Sequence, residues 1–303
     1  MTANVEPQQR PSGPALWWLA ARPRTLPLAL APVVVGTALA HADGALAVGP
    51  ALAAALGALL LQIGANFAND VFDAEQGADT EERIGPPRAV AMGWISPSRM
   101  RVATAIAFGA ALLVGLYLLS VAGWPIFAIG LLSILAGYAY TGGPWPLGYH
   151  GLGELTVFLF FGLVAVGGTY FVQTLALSDD ALIAAVPVGA LAAAVLVVNN
   201  LRDVEGDAAA GKHTLAVRWG RAGARAQYAA LLLASYLTPA LLLVAGWHPL
   251  VLLPVLTLPR GLVMLQTIRT REDGPALNTA LAGTAGLALR FSVLLAAGIV
   301  LAH

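Results

Sequence analysis

The chain has 303 residues, of which 58% are hydrophobic and only 11% charged, with a formal net charge of zero. A soluble domain carries about 25% charged residues, so the composition excludes an ordinary soluble globule and points to a polytopic membrane protein. Neutrality leaves no bulk charge to attract nucleic acid, and the lack of cysteine excludes disulfides, thiolate metal sites and cysteine nucleophiles.

Residues 1–14 form a polar arm that carries Glu6 and no basic stretch or cleavage site, so no removable signal peptide is expected. Residues 15–303 then read as a single intramembrane domain, all-α. A spanning helix needs about 20 mostly apolar residues. Nine stretches approach that, around 23–41, 49–72, 101–121, 123–140, 152–175, 181–201, 226–245, 248–268 and 278–302. The breaks HADG, AGWP, SDD and GWHP fall on one side of the bundle, and longer polar loops fall on the other.

With nine spans, the N-terminal arm and the loops after spans 2, 4, 6 and 8 share a side. That side holds Arg10, Arg22, Arg24, Arg83, Arg88, Arg99, Arg101, Arg202, Lys212, Arg218, Arg221, Arg225, Arg269 and Arg271, whereas the opposite loops and the tail have no Lys or Arg. Basic loops mark the cytoplasmic side, which places the N-terminus inside and the C-terminus outside. Arg260 and Arg290 fall within spans, where a basic group has a functional role or snorkels and pairs.

Two of the cytoplasmic loops are unusual. The second span runs into NFANDVFDAEQGADTEERIGPPRAV, with Asn66, Asn69, Asp70, Asp73 and Asp79 and the further acids Glu75, Glu81 and Glu82. The sixth runs into NNLRDVEGD, with Asn199, Asp203 and Asp207. On a helix 66, 70 and 73 share a face, as do 199, 203 and 207, with Arg202 and Glu205 turned away. Asn66/Asp70 and Asn199/Asp203 have the same four-residue spacing and lie 133 residues apart. That is a weak internal repeat, and repeated membrane bundles often bind ligand where the repeats meet.

Acids at the negative end of a helix dipole are unfavourable, and an acid at the bilayer centre costs about 2.5–3.5 kcal/mol on insertion scales. One such cluster could be a solvated, capped loop. Two on the same side with matched spacing call for a cation. Oxygen ligands without His or Cys suit Mg²⁺, which is usually held by one or two carboxylates together with substrate phosphates. Asp70, Asp73, Asp79, Asp203, Asp207, Asn66 and Asn199 are the candidate ligands. Arg83, Arg88, Arg202 and Lys212 flank them as candidate phosphate partners. GKHT is not a phosphate-binding P-loop, because the first glycine and the preceding strand are missing. The five histidines show no metal spacing, and His213 reads as a solvated loop residue. In the glycine-rich loop 138–154, Tyr138, Tyr140 and Glu154 could line a site, or the loop could be a simple turn. Phe158, Phe160, Phe161, Tyr170 and Phe171 could stabilise a carbocation, but lipid-facing or core packing is the commoner use of such residues.

NDVFDAEQGAD together with NLRDVEGD on another helix resembles the UbiA-type intramembrane prenyltransferases, over nearly the whole chain. GADTEERIGPPRAV and NNLRDVEGDAAAGKHTLAVRWG resemble the 1,4-dihydroxy-2-naphthoate polyprenyltransferase branch, and ARPRTLPLALAPVVVG is similar to the family's first helix. The resemblance implies a nine-helix bundle in the bacterial cytoplasmic (inner) membrane with both aspartate motifs on the cytoplasmic side. It implies Mg²⁺-dependent transfer of a polyprenyl chain from its diphosphate to 1,4-dihydroxy-2-naphthoate, with loss of carbon dioxide, to give demethylmenaquinone. Asp70, Asp73, Asp203 and Asp207 would then carry catalysis with the metal. Asn66 and Asp79 would complete the shell or orient the ring, Arg24 is a candidate for the ring carboxylate, and Tyr140 is a further contact. One departure stands out: relatives often have a basic residue in the loop after helix 4, where PWPLGYHG has none, leaving Arg22, Arg24 or Lys212 for that task. Other acceptors (homogentisate, 4-hydroxybenzoate, haem) and a secondary transporter remain open as alternatives. No feature of the sequence sets an oligomeric state.

Overall fold

Long Ala-, Leu- and Val-rich runs punctuated by Gly and Pro leave the backbone little choice inside a bilayer, where helices satisfy every peptide group internally. In the computed structural model, which describes residues 10–78 and 84–302, the chain is all-helical, with no strand among the described residues. The elements are α1 (Pro14–Ala20), α2 (Leu26–Ala42), α3 (Val48–Glu75), α4 (Pro97–Ala122), α5 (Trp124–Ala139), α6 (Gly153–Phe158), α7 (Ala165–Thr174), α8 (Asp179–Arg202), α9 (Val204–Ala209), α10 (Leu215–Leu237), α11 (Pro239–Val244), α12 (Leu258–Thr270) and α13 (Gly274–Leu301). A π-helical turn, Leu159–Val164, joins α6 to α7, and a 3₁₀ stretch, Pro249–Thr257, leads into α12.

Among the described residues, seven helical stretches are long and apolar enough to cross a membrane: Val48–Glu75, Pro97–Ala122, Gly153–Thr174, Asp179–Arg202, Leu215–Val244, Pro249–Thr270 and Gly274–Leu301. Leu26–Ala42 and Trp124–Ala139 are apolar but shorter. Boundaries follow local chemistry. Ser96, Ser178, Thr214 and Asp273 each accept a backbone N–H at the start of α4, α8, α10 and α13, the usual role of an N-cap oxygen. One element, α1, was not apparent in the sequence. It is a short helix between the arm and the first span, with Trp17 and Trp18 exposed.

Helix α8 forms the centre of the bundle. Its small residues (Ala184, Ala185, Gly189, Ala192, Ala193 and Ala194) are buried together with Leu191, Val197, Val198 and Leu201. It packs against α10, α13, α6 and the π turn, and α13 packs in turn against α2. The approach to the π turn is backbone to backbone: a Cβ at Gly162 would lie 2.8 Å from the Cα of Gly189, and one at Gly189 would lie 2.6 Å from the Phe158 carbonyl. A second apolar cluster joins Leu16 and Ala20 of α1, Phe67 and Val71 of α3, Ala89, Val90 and Ile95 of the following loop, and Met100 of α4. That cluster pins the loop after the first acidic motif against the helix that carries it.

Candidate active site

A cavity of about 400 Å³ runs through the bundle between α2, α3, α4, α5, α6, α7 and α8. Its wall on α3 extends from Ala54 to Asp73, which is nineteen residues or about 28 Å at 1.5 Å per residue. One end is polar. The rest is lined by Leu28, Val33, Leu61, Leu118, Ile126, Ile129, Val164 and other apolar side chains, with Phe160 and Phe161 facing in. Phe158, Tyr170 and Phe171 are not part of that wall.

The polar end unites residues from both acidic motifs: Asn66, Asn69 and Asp73 of α3 face Asn199, Asp203 and Asp207 across the cavity. Arg22, Arg88 and Lys212 join them. Lys212 lies between the two sets, its Nζ 3.0 Å from Asp73 Oδ1 and 3.8 Å from Asp207 Oδ1. Its ammonium also sits 4.7 Å from the centre of the Tyr149 ring, within cation–π range. The Tyr149 hydroxyl donates to Asp73 Oδ1 at 2.9 Å. Burial raises the pKa of the Tyr149 phenol well above its ordinary value, reinforced by the charge of Asp73, so the phenol stays protonated and remains a donor. Tyr149 belongs to the loop that lacks a basic residue. That loop supplies an aromatic platform for a lysine coming from α9–α10, and the two segments are tied by a bond from the His213 N–H to the Tyr149 carbonyl at 2.8 Å.

On the other side, Arg202 is buried outside the cavity wall and turns back onto its own motif. Its Nε and Nη2 donate to the two Asp203 oxygens at 2.7 and 2.6 Å, and its other N–H groups reach Asn199 Oδ1 at 2.9 Å and Asn278 Oδ1 at 2.7 Å. The cause is a break in the helix. α8 ends at Arg202 and α9 begins at Val204, so the second motif does not present one uninterrupted face, and Arg202 folds back onto its neighbour. Asn278 also donates to the Ile84 carbonyl at 3.1 Å, which links the second motif to the loop after the first.

Asp70 is placed differently from Asn66 and Asp73. Its oxygens accept the Ala89 and Val90 backbone N–H groups, each at 3.1 Å, and it lies outside the cavity wall. At about 100° per residue, Asn66, Asn69 and Asp73 fall within roughly 60° of one another, while Asp70 lies about 40° beyond Asn66 on the side where the loop packs. Asn66 donates to the Ala21 carbonyl at 2.9 Å and to Thr25 Oγ1 at 3.2 Å, fixing the junction before α2. At that junction Arg22 adopts φ 53°, uncommon for a residue other than glycine, and lines the cavity. Arg24 is exposed and points elsewhere. Tyr140 lines the cavity, whereas Tyr138 is exposed and packs edge-on against Phe72. Glu154 is buried behind the wall and accepts from Asn200 Nδ2 at 3.0 Å. Arg260 and Arg290 are exposed on the outer surface. Asp79 and Arg83 lie outside the described residues. Tyr149, Thr141 and Asn200 also line the polar end. Only their neighbours in the sequence, Tyr140 and Asn199, were candidates at the outset.

The donor set is carboxylate and amide oxygen, the chemistry that suits Mg²⁺. Among the described residues no three Asp, Glu, His or Cys side chains converge as a closed cage. A metal here would therefore take part of its shell from a ligand, as magnesium at phosphate sites normally does.

A multi-span helical bundle whose cavity has an acid-bearing polar end and an apolar remainder defines the class: an integral membrane protein with an internal site. Residues 29–301 match the UbiA prenyltransferase family, and the chain belongs to it. It is 42% identical to the 1,4-dihydroxy-2-naphthoate octaprenyltransferase of Mycobacterium tuberculosis, over 94% of this chain and 96% of that protein. It is 43% identical to the Haemophilus influenzae protein of the same name, over 72% of this chain and 73% of that one. Its fold matches an Archaeoglobus fulgidus UbiA homologue solved with DMAPP and Mg²⁺, at a TM-score of 0.70 and 15% identity, covering 95% of this chain and 99% of that one.

Proposed function

We propose that this protein transfers a polyprenyl chain from its diphosphate to 1,4-dihydroxy-2-naphthoate with decarboxylation, giving the quinol form of demethylmenaquinone in menaquinone biosynthesis. The observation that carries the proposal is the cavity, in which two acidic motifs and Lys212 meet at the polar end of a space whose α3 wall runs about 28 Å and is otherwise mostly apolar. The relatives' shared name supports the naphthoate as acceptor.

In this reading the polyprenyl tail lies along Leu28, Leu61, Leu118 and Ile129, and enters sideways from lipid. The diphosphate lies at the polar end, where Lys212, Arg22 and Arg88 offer positive charge. Asp73, Asp203 and Asp207, with Asn66 and Asn199, would hold Mg²⁺. Bound there, the metal would offset the negative charge that grows on the departing diphosphate. The allylic C–O bond breaks with its electron pair passing to the diphosphate. The ring carbon bonds to the allylic carbon, and the carboxylate leaves as carbon dioxide, its bonding pair restoring the aromatic ring. Phe160 and Phe161 face the developing cation, and the apolar wall excludes water that would otherwise trap it. The single domain from 15 to 303 crosses the bacterial cytoplasmic membrane nine times, the short helices α2 and α5 included, with the N-terminus and both motifs inside.

The test is turnover by purified protein in detergent with Mg²⁺, a polyprenyl diphosphate and a panel of ring acids. Prenylated naphthoquinol, carbon dioxide and diphosphate are expected with 1,4-dihydroxy-2-naphthoate. Absence of prenylated product with every aromatic acceptor would refute the proposal, and full activity in Asp73→Ala or Asp207→Ala would refute the metal assignment.

A further inference from the structure

Glu154 is a buried carboxylate that neither acidic motif nor the diphosphate reading uses. It lies in the first turn of α6, 4% exposed, within an apolar bundle. Its Oε1 accepts from Asn200 Nδ2 at 3.0 Å, and its Oε2 is buried with no hydrogen-bond partner. A carboxylate so placed is costly, and a packing role would be filled better by an apolar side chain.

Asn200 leads back to the cavity. It is 6% exposed, and that small surface belongs to the cavity wall. A carboxylate offers only acceptors, so Glu154 fixes which way the Asn200 amide points: Nδ2 donates one hydrogen to the acid, and Oδ1 lies on the edge turned away from it. Asn200 precedes Asp203 by three residues, about 4.5 Å of helical rise, so a group bound to it lies beside the polar head of the cavity. Tyr140, also in the wall, completes the patch. Its hydroxyl packs against α6, where a Cβ at Gly153 would lie 2.8 Å from it. The wall therefore presents a carbonyl acceptor and a phenol, which complement the hydroxyl and the carboxylate of a hydroxylated aromatic acid.

We propose that Asn200 binds the aromatic acceptor by accepting its ring hydroxyl through Oδ1, and that Glu154 is the positioning residue that holds the amide in that orientation. Were the amide reversed, its Oδ1 would face the Glu154 carboxylate, acceptor against acceptor, and the ring hydroxyl would lose the acceptor it donates to. The inference rests on the acceptor being a hydroxyaryl acid, as proposed above.

The experiment compares inhibition by 1-hydroxy-2-naphthoate and by its methyl ether, in wild type and in Asn200→Ala. Wild type is expected to favour the free hydroxyl by about tenfold, the scale of one hydrogen bond, and Asn200→Ala to bind both equally. In turnover assays Glu154→Ala should raise the KM for the ring acid while leaving that for the polyprenyl diphosphate unchanged. Glu154→Gln, whose Oε1 can still accept from Asn200, should restore wild-type behaviour. Equal discrimination in wild type and Asn200→Ala would overturn the proposal, as would a parallel rise in both KM values with no rescue by Gln. If Glu154→Ala does not fold, the inhibitor ratio in Asn200→Ala decides alone. Failure of the wider functional reading is distinct, because wild type would then turn over no naphthoate.

Discussion

Lys212→Met tests how the site is balanced in the absence of metal. The substitution keeps an unbranched, apolar side chain one atom shorter and removes the charge, leaving Asp73 and Asp207 with no ammonium between them. At an effective dielectric of about 20, a unit pair at the observed 3.0 Å interacts by about 5 kcal/mol and one at 3.8 Å by about 4 kcal/mol. Desolvation offsets most of that. Removing one partner of a buried pair costs about 3–5 kcal/mol, and the side chains here are 6–13% exposed, so we expect a loss near the lower end, about 3 kcal/mol. A divalent ion binding between the carboxylates must displace the lysine in wild type but nothing in the variant. Each 1.4 kcal/mol is about tenfold in affinity, so Mn²⁺ should bind Lys212→Met at least about tenfold more tightly in the absence of diphosphate. The assays are thermal unfolding in detergent against Mg²⁺ concentration and Mn²⁺ binding by electron paramagnetic resonance. Metal-free Lys212→Met should unfold earlier than wild type and gain more from Mg²⁺. Turnover should suffer regardless, through a higher KM for the polyprenyl diphosphate. If the variant unfolds with wild type and gains the same amount from Mg²⁺, Lys212 does not neutralise the acids.

Asp70 and Asp73 should separate in their effects. Asp70→Asn sets an amide N–H against a backbone N–H and should lower stability by about 1–3 kcal/mol with Mn²⁺ affinity preserved, whereas Asp73→Asn should lose metal affinity without a comparable drop in melting temperature. Tyr149→Phe keeps the ring beneath Lys212 and removes only the hydroxyl donated to Asp73. It should lose less activity than Tyr149→Ala, which also gives up a cation–π contact of about 0.5–2 kcal/mol, and equal losses would assign the whole effect to the hydroxyl. Gly189→Val drives a side chain into the Phe158 carbonyl, 2.6 Å from the Cβ position, and should abolish recovery of folded protein from membranes. Gly109→Ala, with nothing within 4 Å of its Cβ, should be recovered normally.

Helices in a bilayer are legible because apolar run length alone specifies them: among the described residues the seven long apolar stretches and the two shorter apolar helices fall on the runs, though the one over the run at 226–245 begins earlier, at Leu215. The motifs were legible as acids placed against their electrostatic interest. Direction was harder to read. Asn66, Asp70 and Asp73 all satisfy a loose same-face rule, yet a rotation of about 40° turns Asp70 to the Ala89 and Val90 amides, a partner nineteen and twenty residues away that periodicity cannot display. Arg202 shows the effect of a break. A regular helix turns it away, but the break at Asp203 lets it fold back and grip both oxygens of its neighbour. The missing basic residue of the GYHG loop shows the same limit at longer range. The loop supplies the tyrosine ring and the lysine comes from residue 212, so the charge absent from one segment is restored by contact with another. Residue types thus pointed to carboxylates that call for a cation here. Which carboxylates would do so depends on helix phase and on breaks, and these are set by contacts that range from the next residue at Asp203 to 139 residues for Lys212 and Asp73.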